Sequence, residues 1–237
     1  MSVEDSKYNS TAVAVDLDRT TINTDTAIAI LIEISRDAYP DFVAELERRR
    51  NEPHLDVFDI ARRTIGKEVA PSVLQEFSKY IRDQGNGREL LLDGAMDTFR
   101  LLKERNIAHF TLTTGRPEWQ EPKITGIDIL DSVPYVVLGQ YDKGYAMRTW
   151  RRANGEFHIP AIERPTHGVG YVAIRELVLI DDSQTAFIGL PDEARGYLLE
   201  PDQDIFNRAK ERHSIPDSVT RVNDLKDVAR LIEANEL

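Results

Sequence analysis

The chain has 237 residues with 30 Lys and Arg against 41 Asp and Glu, a formal net charge of -11, and no cysteine. The lack of cysteine excludes disulfides, thiolate nucleophiles and iron–sulfur clusters, and the negative charge disfavours nucleic-acid and anionic-membrane partners. No apolar run approaches the length of a membrane span, and the first residues lack a secretory pattern, so we expect a soluble cytoplasmic protein.

The first predicted element is a buried strand in TAVAVDLD, residues 11–18, which ends in Asp16 and Asp18. Aspartate is common in turns at strand ends, so this pair alone is weak evidence of a site. In an open parallel α/β sheet, however, ligands bind beyond the carboxyl ends of the strands. The pair therefore predicts a site if other strands also end in polar or acidic residues at the same edge of the sheet.

A long stretch with helical periodicity follows this strand. Breaks at Tyr-Pro, Asn-Glu-Pro and Val-Ala-Pro divide it into four predicted helices near 26–37, 40–50, 54–65 and 70–84. We therefore predict a helical domain over residues 25–88, inserted into a core domain formed by residues 1–24 and 89–237.

Strands and helices alternate over the rest of the chain. An amphipathic helix in DGAMDTFRLLKERN, with Met96, Phe99 and Leu102 on one side, leads into a second strand, IAHFTLTTG, at 107–115. Further strands are predicted at 133–140, 176–182, 196–201 and 219–222. This order indicates an α/β fold with a Rossmann-like doubly wound parallel sheet and helices on both faces.

The second strand ends in Thr113, Thr114 and Gly115. A hydroxyl together with backbone N–H groups at this position is suited to binding an oxyanion, although a threonine-rich strand end that caps the next helix would have the same composition. Alternation along the strand places the two threonines on opposite faces. We select Thr114, next to the glycine, as the candidate ligand.

The strand ELVLIDD at 176–182 repeats the opening pattern, because its apolar run ends in Asp181 and Asp182. Carboxylates that converge in one crevice repel each other and raise each other's pKa unless a cation lies among them. A set of hard oxygen ligands suits Mg²⁺. Two acidic strand ends therefore predict a magnesium site.

With these residues the chain resembles the haloacid dehalogenase (HAD) superfamily of hydrolases. The first motif of that family, an apolar strand followed by DxDxT, is matched by Asp16, Asp18 and Thr20. Its second motif, a Ser or Thr that closes the next strand, is matched by Thr114. The order of the motifs and the helical insertion after the first one also agree, and the resemblance covers nearly the whole chain.

The third and fourth motifs of the family are a lysine and an acid pair. Lys143, in YDKGYAM, follows a predicted strand as the family pattern requires, and Asp181 and Asp182 match the acid pair. The stretch between Lys143 and Asp182 is longer than usual, and the extra segment at 154–174 is predicted to be a local elaboration. Within it, GVGYVA fits a dinucleotide-binding pattern, but it precedes a strand, so a plain glycine loop is favoured.

The resemblance implies a role for each carboxylate. Asp16 would be the nucleophile that forms an aspartyl-phosphate, and Asp18 the acid that protonates the leaving oxygen and then the base that activates water. Mg²⁺ would be held by the Asp16 carboxylate, the Asp18 backbone carbonyl and Asp182. Asp181 would orient Lys143 or a metal-bound water.

The phosphate-binding groups implied by the resemblance are Thr114, Gly115 and Lys143, with Thr20 in a supporting role. Lys123, in EPKITG, is the alternative lysine. Arg19 and Thr21 stand where many relatives have Gly and Leu, so the turn after Asp18 is expected to differ in detail.

The resemblance therefore predicts a Mg²⁺-dependent phosphatase whose helical insertion acts as a cap over a site for a small phosphorylated metabolite. Three alternatives stay open: a phosphotransferase or phosphomutase with the same aspartyl-phosphate, a non-catalytic binding protein with this fold, and a phospho-accepting receiver module. The receiver is disfavoured because its adjacent acid pair lies on the first strand, whereas here that pair comes late.

Overall fold

The computed structural model describes residues 10–52, 55–85, 87–139, 142–160, 174–213 and 215–237. Six strands occur within these ranges: β1 Thr11–Val15, β2 Ala108–Thr114, β3 Tyr135–Leu138, β4 Glu176–Asp181, β5 Ala194–Leu199 and β6 Val219–Val222. They form one sheet in the order β3-β2-β1-β4-β5-β6, and all neighbouring strands are parallel. This sheet confirms the predicted α/β fold.

Strand β1 lies at the centre of the sheet, between β2 and β4. Val15 is in register with Thr111 of β2 and with Ile180 of β4, so the carboxyl ends of the three strands meet at one edge. Every residue of β1 is buried, as expected for a parallel strand covered on both faces. The order of the strands along the chain changes direction between β1 and β4, which is where ligands bind in sheets of this kind.

Ten α-helices lie in the described parts of the chain, and none of them is long and apolar enough to cross a membrane. Their bounds are α1 Thr24–Ser35, α2 Pro40–Arg49, α3 Val57–Thr64, α4 Ala70–Asp83, α5 Ala95–Glu104, α6 Pro117–Gly126, α7 Asp128–Asp131, α8 Lys143–Thr149, α9 Gln203–His213 and α10 Leu225–Glu233. We call α1 to α4 the insertion. Its helices match the four predicted ones closely, whereas the domain boundaries at 25 and 88 stay a prediction.

Local capping explains where the insertion helices begin. The Asn23 side chain accepts a hydrogen bond of 3.0 Å from the backbone N–H of Thr26 at the start of α1, and Asp56 accepts one of 2.9 Å from Asp59 at the start of α3. Such side chains satisfy backbone donors that have no partner in the first helical turn. Pro40 occupies the first turn of α2, where its missing N–H costs nothing.

Helix α5 is present as predicted, but its predicted apolar face is wrong. Met96 is 37% exposed, whereas Ala95, Phe99 and Leu102 are buried. The buried face is set by packing against α10, where the Thr98 hydroxyl donates a 3.1 Å hydrogen bond to the backbone oxygen of Leu225. A polar residue thus lies at the centre of this face, which shifts Met96 to its edge.

The insertion packs directly against the core of the molecule. Its buried side chains belong to the same hydrophobic cluster as Val13 and Val15 of the central strand. Helix α4 of the insertion lies against α6, where the rings of Phe77 and Trp119 are 5.3 Å apart. The Ser78 and Thr125 hydroxyls form a 2.9 Å hydrogen bond between the same two helices. The insertion is therefore tied to the helix that follows β2.

The extra segment predicted at 154–174 is described only in part. Phe157 is buried in the cluster on the other face of the sheet, and its N–H donates a 2.7 Å hydrogen bond to the carbonyl of Ile174. This bridge closes the base of the segment. The glycine motif at 168–173 lies outside the described residues.

Replacing Gly126 with Ala tests how closely the insertion approaches the core. A Cβ atom at Gly126 would lie 2.9 Å from the Ser78 carbonyl oxygen and closer still to the Ile81 side chain. Overpacking of this kind costs about 1–3 kcal/mol, so Gly126→Ala should lower the melting temperature by about 2–4 °C for each kcal/mol lost.

The matched control is Gly139→Ala, because a Cβ atom there meets nothing within 4 Å. Its melting temperature should stay near that of the wild type. Equal melting temperatures for the two variants would contradict the close packing of α4 on α6.

Candidate active site

Three carboxylates meet where β1 and β4 end. Asp16 follows β1, Asp181 is the last residue of β4 and Asp182 comes directly after it. One carboxylate oxygen from each of the three lies within 4.8 Å of the others. The Asp16 N–H donates a 2.9 Å hydrogen bond to the Ile180 carbonyl, so the ladder between β1 and β4 holds the first carboxylate beside the other two.

Lys143 lies between two of these carboxylates. It is the first residue of α8 and is buried, and its ammonium donates hydrogen bonds to Oδ1 of Asp16 and, at 2.5 Å, to Oδ2 of Asp181. Burial alone would lower the pKa of Lys143, but the two carboxylates reverse this effect and raise the pKa above its ordinary value. The side chain is therefore a buried cation shared by two anions.

The remaining oxygens of the acid pair have different surroundings. Oδ1 of Asp181 accepts a 2.8 Å hydrogen bond from the Ser183 N–H, so both of its oxygens have protein partners. The Asp182 N–H donates a 3.0 Å hydrogen bond to the hydroxyl of Thr20, which is buried and fixes the backbone at this position. Asp16 and Asp182 are thus the carboxylates best suited to hold a cation, with Asp181 turned toward Lys143.

The carboxylates that face the cluster hold their protons more tightly than usual. Burial raises the pKa of Asp16 to about 7, even though Lys143 partly opposes the effect. Burial also raises the pKa of Asp182 to about 6, with a further increase caused by the charge of Asp16. A bound divalent cation would relieve both effects, since it favours the ionised carboxylates.

Asp18 is bound to a second buried lysine. The ammonium of Lys123, from helix α6, lies 2.6 and 2.7 Å from the two carboxylate oxygens, and the Thr24 hydroxyl donates a 2.7 Å hydrogen bond to Oδ1. Burial would raise the pKa of Asp18, but Lys123 together with Thr24 holds it below its ordinary value. Lys123, the predicted alternative to Lys143, therefore contacts a different carboxylate.

The side chains of the site carry more negative than positive charge, which favours binding of a divalent cation. Four carboxylates, those of Asp16, Asp18, Asp181 and Asp182, face two ammonium groups. The excess of two negative charges equals the charge of one Mg²⁺. The donor set, made of carboxylate oxygens, is of the type that such a hard cation prefers. These residues therefore fit a divalent metal.

The turn after Asp18 has an unusual backbone. Arg19 has a φ of 62°, a left-handed conformation that glycine adopts freely and other residues adopt at a cost. The Thr21 hydroxyl donates a 2.5 Å hydrogen bond to the Asp16 carbonyl, which ties the turn back to the end of β1.

Thr114 and Gly115 lie at the end of β2, next to β1. Thr114 is exposed and Thr113 is buried, so the two threonines do lie on opposite faces. The Gly115 N–H already donates a 2.8 Å hydrogen bond to the Leu138 carbonyl of β3 and is not available to an oxyanion in this conformation. Gly115 instead serves the turn, since its φ of 126° disfavours any other residue. The Thr114 hydroxyl is left as the candidate donor.

Sequence reasoning missed the partners of Asp18. Helical spacing in PEWQEPKITG places Trp119, Lys123 and Gly126 on one face, and a lysine on an apolar face signals a buried partner. That signal identifies Lys123 as paired without naming its carboxylate. The Thr24 contact carries no signal in the sequence, because the hydroxyl reaches Asp18 only through the fold of the turn.

Comparison with known proteins supports the fold. No protein-family model matches the sequence, and no curated protein sequence matches it significantly. Among solved structures, a haloacid dehalogenase-like hydrolase of Burkholderia xenovorans is similar at a TM-score of 0.58 and 18% identity, with 96% of this chain and 98% of that chain covered.

Two further structures are similar over 94% of this chain and 98% of theirs. One comes from Thermotoga maritima and is assigned as a β-phosphoglucomutase, with a TM-score of 0.52 and 15% identity. The other is the L-2-haloacid dehalogenase of Xanthobacter autotrophicus, with a TM-score of 0.51 and 12% identity. The chain therefore has the fold of the haloacid dehalogenase (HAD) superfamily.

Proposed function

We propose that the protein is a Mg²⁺-dependent phosphatase that hydrolyses a small phosphate monoester through an aspartyl-phosphate on Asp16. The observation that carries this proposal is the Asp16 carboxylate, which lies beside a buried lysine and two further carboxylates at the carboxyl edge of the sheet. A nucleophile, a cation site and a fixed positive charge are the groups that phosphoryl transfer requires.

Asp16 and Asp18 divide the chemistry between them. An oxygen of Asp16 attacks phosphorus and forms an aspartyl-phosphate, while the bond from phosphorus to the leaving oxygen breaks and Asp18 supplies the proton to that oxygen. In the second step Asp18 takes a proton from water, whose oxygen attacks the same phosphorus. The bond from phosphorus to the Asp16 oxygen breaks, which releases inorganic phosphate and returns the Asp16 carboxylate. A second aspartate at this position favours phosphate chemistry over dehalogenation.

The other groups stabilise charge. Mg²⁺, held by Asp16, Asp182 and the Asp18 backbone carbonyl, would supply positive charge to a phosphoryl oxygen. Lys143 keeps the Asp16 carboxylate oriented and offers an ammonium beside the reacting group, and the Thr114 hydroxyl lies on the neighbouring strand end.

The insertion favours a small substrate. Its helices pack on α6, the helix that follows Thr114, and we infer that the insertion covers the entrance to the site from this side. An enclosed site admits only a ligand that fits it, and the net charge of -11 disfavours polyanions. A small phosphorylated metabolite fits these constraints, whereas a nucleic acid or an anionic membrane does not.

Magnesium binding should depend on pH. Asp16, with a pKa of about 7, and Asp182, with a pKa of about 6, hold protons in weak acid that a cation must displace. Mg²⁺ affinity should therefore rise with pH. At about 100 times the dissociation constant, Mg²⁺ should stabilise the protein by about 2.7 kcal/mol, a melting-temperature increase of about 5–10 °C near pH 8, and by much less near pH 5.5.

The stability of the metal-free protein should change with pH in the opposite direction to the stabilisation by Mg²⁺. Because the pKa values of both carboxyl groups are raised in the folded state, they contribute stability in acid that is lost as the pH rises through about 6 to 7.

Asp182→Asn should abolish the Mg²⁺ effect at every pH. A shift of equal size at both pH values, or one matched by NaCl of the same ionic strength, would count against a metal at this site.

The two aspartates should be separable by the leaving group. Asp16→Asn should remove turnover of every aryl phosphate together with the covalent intermediate, since no nucleophile is left. Asp18→Asn should lose about 10²-fold or more with poor leaving groups, which need a proton, and far less with an activated one such as 2,4-dinitrophenolate. Single-turnover release of the phenolate measures both, because it reports the first step alone. Release of inorganic phosphate in the same assay follows the second step, in which Asp18 acts on every substrate.

The same assay tests the alternative of phosphoryl transfer to another acceptor. Steady release of inorganic phosphate without an added acceptor supports hydrolysis. Equal losses for good and poor leaving groups in Asp18→Asn would show that the acid role assigned to Asp18 is wrong.

A panel of phosphates tests the substrate class. We expect sugar phosphates, nucleotides or short-chain acid phosphates to give the highest kcat/KM, since they fit under the insertion, and phosphopeptides and DNA 3′-phosphates to be poor. Faster hydrolysis of either macromolecule than of every small phosphate would refute the enclosed site and make the insertion a docking surface.

A further inference from the structure

The pair of Lys123 and Asp18 is the one strong contact of the site that the proposed reaction leaves unexplained. The two residues are 105 positions apart, and the ammonium lies within 2.7 Å of both carboxylate oxygens. Lys123 is fully buried, whereas the side chain of Asp18 is 28% exposed. The lysine therefore reaches the carboxylate from inside the protein and leaves its outer side open.

We propose that Lys123 is a positioning residue that fixes the orientation of the Asp18 carboxylate for proton transfer. This inference rests on the proposed phosphatase function and adds to it a residue for which the sequence motifs assign no such role. Lys123 acts through Asp18 and is not a ligand of the phosphate, since its ammonium is held within 2.7 Å of that carboxylate and is not exposed.

Packing alone does not explain why a charged side chain is buried at position 123. Taking an ammonium out of water carries a desolvation penalty that an apolar side chain of the same length would avoid. The Lys123 Nζ lies 4.9 Å from the centroid of the Trp119 ring, a cation–π contact, and within 2.7 Å of both Asp18 oxygens. The contact with Asp18 is the shorter of the two and joins opposite charges.

The geometry of the contact restricts rotation of the carboxylate. Lys123 donates to both oxygens and Thr24 donates to Oδ1, so turning the carboxylate about its bond to Cβ would break hydrogen bonds at both oxygens. These three hydrogen bonds favour the ionised carboxylate, and a base that is held in one orientation loses less entropy when it meets the attacking water. Misplacement by a fraction of an ångström is enough to slow such a step.

The helix that carries Lys123 contacts the insertion. The side of α6 near Trp119 and Thr125 packs against Phe77 and Ser78 of α4. Asp18 is thereby supported from the part of the molecule proposed to enclose the substrate.

Lys123→Met tests the role, because methionine keeps the length and removes the charge. With 2,4-dinitrophenyl phosphate, whose leaving group needs no proton, we expect the single-turnover burst of dinitrophenolate to change less than about 3-fold and the later release of inorganic phosphate to slow about 10- to 100-fold. In an Asp18→Asn background the same substitution should have no further effect, because interacting residues are not additive. Lys123→Arg, which keeps the charge, should restore part of the rate.

The matched control is Thr125→Val on the same helix, which removes a hydrogen bond to the insertion without touching Asp18. Its rates should stay within about 2-fold of the wild type for all leaving groups. A uniform loss in Lys123→Met that is equally large in the Asp18→Asn background would show a merely structural role and overturn the proposal. A wild-type protein that releases phosphate from no substrate would instead refute the phosphatase function itself.

Discussion

The buried ammonium of Lys143, shared by Asp16 and Asp181, is the interaction on which the rest of the site depends. The register of β1 and β4 places the two carboxylates side by side, where they would repel each other in a medium of low dielectric constant. The shared cation reduces this repulsion without neutralising the cluster. The proposed metal site and the proposed attack of Asp16 on phosphorus both depend on the negative charge that remains.

Much of this arrangement could be predicted from the sequence, because it follows from local patterns. Apolar runs of strand length followed by acids mark the ends of β1 and β4, and parallel topology brings such ends to one edge. Helical periodicity with proline breaks located the insertion helices closely. Lys143 was selected through the resemblance to the HAD superfamily, whose third motif is a lysine, and its ammonium contacts Asp16 in the structure.

The remaining features depend on contacts between distant parts of the chain. The pairing of Lys123 with Asp18 requires knowing how far α6 stands from the first turn, which no periodicity encodes. The Gly115 N–H donates to the Leu138 carbonyl of β3, a contact between neighbouring strands that the pattern of either strand alone does not reveal. Met96 is exposed because α5 turns its polar Thr98 toward α10. In each case a contact between separate elements decides the outcome, and the sequence pattern of one element does not predict that contact.

The sheet order has a consequence for how the protein folds. The central strands β1 and β4 are neighbours in space, yet the Thr11–Glu176 pair in their ladder spans 165 positions of the chain. Closing so long a loop is entropically costly and slow, so sheets with distant pairings form late. Asp16 therefore stays hydrated in the growing chain until β4 has been synthesised and paired. The charged centre can therefore form only after residues 11–182 are present, when most of the protein needed to shield it from water already exists.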